Sequence, residues 1–493
     1  MGKEKSKWRS YGAGGAVIAI FIVLLLFRLN VPQKFFITGE KQPIVIDGGT
    51  AGEAWMAITQ NNKKIGYAVR RRVQTEQGSK FFEDIFVWIN AMGVVQPLVI
   101  RTAAELKTGG EISGFRFTLE SNLFRFAARG NVENGKMIIH SDGDSKPRVF
   151  PITAPLYWGN FVVASAGRGV FEPGQKKSFA LFDPASLSIR ELKVNSLGEE
   201  RLTVLGKMTS ARKLSLDFMG MKQIAWVSSD GLVLREEGIL GIVLQVVSKK
   251  EALAGLEAVS DSDLTAAAAI PVTRLIDDPA GLKTLTVRIN NLPQGNFLLE
   301  GGRQTFRNGL LTVKSEKYTG SSAPLPGVSE NLELLRRAAP FIESDNPKIR
   351  QKAAEILMTS DDDMTKAQKL VVWMHANIAK RPVISVPDAL QTLENMVGDC
   401  NEHAVLLAAL GRAAGLPTEI ETGLVYMRGK FFFHAWNTFY IKKIGGWITA
   451  DAALGQLPAD VTHLRFTRGS LERQVDMTAL IGRLTLDFIG AEK

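Results

Sequence analysis

The chain has a single cysteine, Cys400, in 493 residues. No disulfide can form within it, and a zinc site of the multi-cysteine type is excluded. Long Lys/Arg runs are missing too. The formal charge of +10 is modest for this length, which points away from nucleic acid as a partner and is compatible with an anionic envelope surface. There is no repeat of fixed period and no low-complexity tract. The length predicts two to four domains.

The N-terminus carries the longest uncharged apolar run. Lys3, Lys5, Lys7 and Arg9 precede residues 12–27, "GAGGAVIAIFIVLLLF". At about 1.5 Å per residue this run reaches most of the way across a ~30 Å hydrocarbon core, and Leu29 and Val31 extend it if Arg28 snorkels. Residues 1–10 are therefore expected as a basic cytoplasmic tail, 11–31 as a transmembrane signal anchor and 32–50 as a spacer. A cleaved signal peptide is the competing expectation, but no A-x-A site follows Phe27. No cysteine lies near enough for a lipoprotein signal.

Residues 51–255 are expected as a largely antiparallel β-rich domain. "GFRFTLES" alternates Phe115, Phe117 and Leu119 with Arg116, Thr118 and Glu120, the period of a half-buried strand. Asn134-Gly135 and Asp230-Gly231 sit between such runs and supply the positive φ angles of tight hairpins. A helical insertion is expected near 161–167. Residues 256–327 are expected as a linker and a small β segment around Asn308-Gly309. The turn formers of "TGSSAPLPG" close it.

Helical patterns follow. "SENLELLRRAAPF" has Ser329 as its expected N-cap, and "NPKIRQKAAEILM" has Pro347 in its first turn. Asp361, Asp362 and Asp363 fit a capped helix start better than a metal site. A short helix begins at Ser385 or Asp388. The next helix runs from Cys400 to about Ala414, presents Val405, Leu406, Ala409 and Leu410 on its apolar face, and ends at Gly415 before Pro417.

Cys400 thus stands at a helix start, where backbone N–H groups and the dipole favour a thiolate at neutral pH. A buried structural cysteine is the plain alternative. Two later segments favour chemistry. "KFFFHAWNTFYI" reads as a strand with His434 near its middle, and "GGWITADAAL" as a strand ending near Asp451. A thiol to attack an acyl carbon, an imidazole to move its proton and a carboxylate to fix the ring form a set for nucleophilic catalysis. A zinc site of Cys400, His403, His434 and Asp451 would disable the nucleophile. His403 is expected on a helix face beside the cleft. His140, His375 and His463 read as isolated. Trp436 and Trp447 read as core aromatics, with Trp436 a possible wall of the site, and Gln391 reads equally as cleft or solvated residue.

"GDCNEHA", "LLAALGRAAGLP", "HAW" and "GGWITAD" resemble the transglutaminase-like superfamily, which shares the papain-like fold. The resemblance is to the membrane-anchored bacterial type and covers about 345–460. It implies Cys400 as nucleophile, His434 as acid/base and Asp451 as orienting carboxylate, with no cofactor and no metal. Asp451-Ala452-Ala453 departs from the family's frequent Asp-Pro-Thr. The expected whole is an α+β chain: an N-terminal transmembrane helix, a largely antiparallel β-rich region and a transglutaminase-like domain over 328–480. It would sit in a bacterial inner membrane, N-terminus cytoplasmic and body periplasmic or extracytoplasmic. It would act through a thioester on protein or peptide amides, hydrolytically. A crosslinking transglutaminase and a non-enzymatic scaffold or binding module stay open as alternatives, since fold alone does not choose.

Overall fold

The computed structural model describes residues 53–142, 147–166, 172–185, 187–218, 221–256, 263–316, 331–469 and 474–493. The chain divides into two compact units near Leu264 and Thr265. The first is a fourteen-stranded antiparallel sheet, from Glu53–Gln60 to Ile242–Val246. Its strands follow one another as hairpins in two series that meet where Glu53–Gln60 pairs with Ile242–Val246. Alternation puts Phe115, Phe117 and Leu119 on the buried face, as their period predicts. Asn134 and Gly135 both have positive φ, as a two-residue hairpin of this twist requires. Between Met221–Val227 and Val233–Glu237, only Gly231 does. That loop is closed instead by Ser228, whose Oγ accepts from Leu232 N–H at 3.0 Å. The expected helical insertion is Gly159–Ser165.

Among the described residues, the α-helices of seven residues or more in the second unit are α1 (Pro347–Ile356), α2 (Asp363–Asn377), α3 (Ala389–Asn395) and α4 (Cys400–Ala413). Asn346, Asp362 and Asp388 cap the first three through side-chain bonds to backbone N–H groups. The Asp361–Asp363 triplet is thus a helix start, with Asp361 also paired to Lys369 at 2.7 Å. The helix expected over 329–341 is one 3₁₀ turn, Leu334–Arg336, and Pro340 prevents its continuation. Ser329 lies outside the described residues.

Four strands carry the site: β1 (Thr418–Met427), β2 (Lys430–Ile441), β3 (Gly446–Ala450) and β4 (Leu464–Arg468). β1 lies between β2 and β4, while β3 and the short strand Ile270–Pro271 both pair with β2. A separate four-stranded sheet joins Thr284–Asn290 to the last strand, Thr485–Glu492. α4 is packed into the centre of this unit. Its residues from Cys400 to Arg412 are all buried, so the one-faced helix expected from the sequence is enclosed on every side. Its last polar residue is held by backbone carbonyls. Arg412 donates to Thr418 O at 3.1 and 2.9 Å and to Arg337 O at 3.1 Å.

Two expectations are corrected. The chain is mostly β, not α+β with a transmembrane helix, because the first unit is one large antiparallel sheet and the second contributes further strands around its helices. Among the described residues no helix is long and apolar enough to cross a membrane. The longest, α2, has 15 residues, about 22 Å of rise against a core of ~30 Å. This also corrects the single-pass anchor in a bacterial inner membrane. The residues on which that anchor was expected, 11–31, lie outside the described ones.

Candidate active site

The start of α4 is built by three neighbours. Gly398 must be glycine, because a Cβ there would lie 2.2 Å from Glu402 Cβ. Asp399 is the N-cap, its Oδ1 accepting from Asn401 N–H at 2.8 Å, and Glu402 Oε2 accepts from Asp399 N–H at 3.0 Å. Cys400 follows as the first helical residue.

Its Sγ accepts from Asn401 Nδ2 at 3.1 Å and from the backbone N–H of Ala435, the residue after His434. Sequence reasoning missed Asn401, although its place beside a helix-start cysteine in "DCN" was a usable signal. The thiolate expected at neutral pH is corrected. Burial pushes the Cys400 thiol well above its ordinary value, and the carboxylates of Asp399, Glu402 and Asp451 push the same way. The helix start that should favour the anion is itself capped by two buried acids, Asp399 and Glu402. Iodoacetamide should therefore label Cys400 at pH 7 about tenfold or more slowly in the folded chain than in the chain unfolded in denaturant. Equal rates would show an accessible, ionised thiol.

His434 lies on β2 opposite Gly423 of β1. Gly423 in turn faces Arg465 of β4, and a Cβ on it would meet Leu464 O at 1.9 Å. The absent side chain lets the strands that carry the site approach this closely. Nε2 of His434 is 2.6 Å from Asp451 Oδ2, while its Nδ1 is buried with no hydrogen-bond partner among the described residues. Asp451 directly follows β3. Its Oδ1 accepts from Leu454 N–H at 2.9 Å, and its backbone bridges to Gln456. The turn therefore closes without the Pro-Thr pair that the family often has. Burial opposes ionisation of Asp451, but attraction and hydrogen bonds from His434 and His463 win and hold it well below the usual carboxylate range. Cys400, His434 and Asp451 are 1%, 2% and 1% exposed, so the centre is closed.

The structure adds His463, which the sequence leaves isolated. Its Nε2 lies 3.0 Å from the same Asp451 Oδ2, and its Nδ1 lies 3.3 Å from Asp460 Oδ1. His463 immediately precedes β4, so the sheet brings it to a carboxylate that leaves β3. Local spacing carries no trace of this pairing.

The other candidates fall out of the site's chemistry. His403 Nδ1 is 2.6 Å from Asp399 O, and burial pushes that imidazole down to about 4, so it is neutral. His375 Nδ1 meets Ala452 O at 3.2 Å. His140 belongs to the other unit. Trp436 stacks near His434, with centroids 6.2 Å apart, and donates to Glu421 Oε2 at 3.0 Å, so it is both wall and core. Gln391 is half-buried in the first turn of α3. Among the described residues, the group close enough to share a metal is His434, Asp451 and His463, with donor atoms within 4.8 Å. Cys400 and His403 are not in it. Both imidazoles meet the carboxylate directly through Nε2.

Residues 350–452 match the transglutaminase-like superfamily. This segment belongs to that superfamily. The match includes α4, β2, β3 and Asp451, and leaves the fourteen-stranded sheet outside it. Three solved structures are similar to parts of the chain. One is a β-barrel-like protein with a domain of unknown function from Brucella abortus, at 12% identity, covering 40% of this chain and 95% of that one, TM-score 0.32. A putative cysteine protease from Cytophaga hutchinsonii aligns at 17% identity over 42% and 84%, TM-score 0.25. A putative protease from Parabacteroides distasonis aligns at 12% identity over 55% and 68%, TM-score 0.21. Likenesses this low carry no argument about chemistry. No curated protein matches the chain. The transglutaminase-like domain thus has the framework of a cysteine-dependent enzyme.

Proposed function

We propose that the transglutaminase-like domain is a cysteine-dependent acyltransferase on protein or peptide amides, with water as the final acceptor. One observation carries the reading. A buried imidazole has one nitrogen held by a carboxylate and the other without a partner among the described residues, one residue from the N–H that binds the only thiol in the chain.

The resting thiol is neutral, so His434 acts as a general base when substrate arrives. As Sγ bonds to the amide carbon, the S–H proton passes to Nδ1 and the carbonyl electrons move onto oxygen. Collapse of that adduct breaks the C–N bond. The amine leaves with the proton from Nδ1, and a thioester stays on Cys400. Water then gives its proton to Nδ1 and attacks the thioester, and the acid and thiol are restored. Asp451 fixes the ring through Nε2, which leaves Nδ1 to take the proton, and neutralises the imidazolium between steps. Water is the acceptor that best suits a centre this enclosed, since it is the smallest.

The test is a library of peptides, including glutamine peptides, read by mass spectrometry with and without an added primary amine. New acids in both conditions support hydrolysis. Amine adducts replacing acids would make the protein a crosslinker. No product with any peptide would leave the domain as a scaffold.

A further inference from the structure

The centre holds one buried histidine that the mechanism does not use. We propose that His463 is a positioning residue, which shares Asp451 Oδ2 with His434 and so keeps His434 available as a neutral base. The effect on rate rests on the acyl-transfer reading, whereas the protonation of His463 does not.

The hydrogen bonds set the charges. Asp451 Oδ2 meets His434 Nε2 at 2.6 Å and His463 Nε2 at 3.0 Å, and two contacts of this kind need both nitrogens to carry hydrogen. The second nitrogen of His463 faces Asp460 Oδ1. Asp460 is anchored by Gln456 Nε2 at 2.9 Å, Thr462 N–H at 2.8 Å and Thr462 Oγ1 at 2.6 Å, so its carboxylate is an acceptor already committed in place. A ring whose two nitrogens both face carboxylates donates from both and is an imidazolium. Burial works against that cation, but the bonds and charges of Asp451 and Asp460 prevail and raise His463 to about 9.

Among the described residues, Asp451 and Asp460 are the carboxylates that act on the ring. Trp436 packs edge-on with its centroid 5.1 Å away, His434 lies at 5.8 Å, and Arg303 Nη2 donates to the backbone carbonyl of His463 at 3.3 Å. Lys380 and His403 also feel the Asp451 charge, but without His463 more of it would act on His434 and favour the imidazolium, which cannot take the thiol's proton. With His463⁺ on the same oxygen, that pull is divided. Asp451 is still held as an anion in a fixed orientation.

The test combines ¹⁵N-imidazole spectra of the full chain with rate profiles. Five histidines make assignment by single variants practical. His463 should be doubly protonated at pH 7.5 and lose a proton near 9. Asp460→Asn should lower that midpoint by about one pH unit or more. His463→Gln keeps one N–H for Asp451 but removes the charge. It should lower kcat/KM several-fold at low pH and by less than about twofold at pH 9, where His463 has lost its charge in the native chain as well. KM for peptide should stay unchanged. A singly protonated His463 at pH 7.5, or a rate loss equal at every pH, would overturn the proposal. If the native chain turns over no peptide, the acyl-transfer reading fails by itself. The spectra of native and Asp460→Asn protein then still decide how His463 is charged and held.

Discussion

Cys400→Ala is expected to remove peptide turnover completely. No other thiol exists in the chain to substitute for it. In enzymes of this logic, loss of the nucleophile lowers turnover by on the order of 10⁶, and what persists comes from binding and oxyanion stabilisation alone. The fold should survive. Cys400 fills a small, fully buried place one helical turn from Ala404 and against the backbone of Ala435, and alanine leaves only the volume of one sulfur atom. The Ala435 N–H loses its acceptor, which costs about 1–3 kcal/mol. Turnover and thermal unfolding of native, Cys400→Ala and Cys400→Ser protein should be measured side by side. Activity that persists in the alanine variant would end the covalent mechanism.

The second large effect is expected at Asp451. Its two oxygens do different work: Oδ1 holds the Leu454 N–H, and Oδ2 meets His434 and His463. Asparagine can supply only one oxygen. If that oxygen faces Leu454, the NH₂ group meets two imidazole N–H donors, and His434 must move its proton to Nδ1, where it blocks the base. If the oxygen faces the histidines, NH₂ meets the Leu454 N–H and the turn after β3 is strained. Either choice leaves a donor–donor conflict and takes the counter-ion from His463. Turnover should fall by about 10³ to 10⁴. Stability should fall as well, with the largest loss below about pH 6.5 and a shrinking one as pH rises through about 9, where His463 loses its charge in the folded protein. The sign follows from linkage. His463 has a raised folded pKa, so its stabilisation is complete below its unfolded value of about 6.5 and fades as pH rises through about 9. Melting curves at pH 6 and pH 10 check this, and unchanged activity would show that Asp451 does not orient His434.

Much of the site could be read before any tertiary contact was known, because its parts are local. Asp399, Glu402 and Gly398 specify a helix start within five residues, and that places Cys400 in the first turn. His434 sits in a β-branched and aromatic run that can only be extended, and Gly445 in the left-handed region separates it from the strand that ends at Asp451. Asn134-Gly135 and Asn308-Gly309 mark hairpins through their own backbone preferences.

Other features depend on distant residues and could not be read so. The first unit's single sheet is a matter of which strand edges meet, and Glu53–Gln60 finds Ile242–Val246 across almost two hundred residues. The last strand, Thr485–Glu492, likewise completes a sheet begun at Thr284. Residue order and local patterning determine helix starts, hairpins and the places of Cys400, His434 and Asp451 within them. Protonation and company are decided only by folding. The dipole of α4 favours a thiolate, yet its enclosure, with two acids at the cap, makes the thiol neutral. His463 has no local mark of function, but β4 carries it to Asp451. Charge states follow from the loss of water and the approach of other charges, and both arise from contacts between segments far apart in the chain.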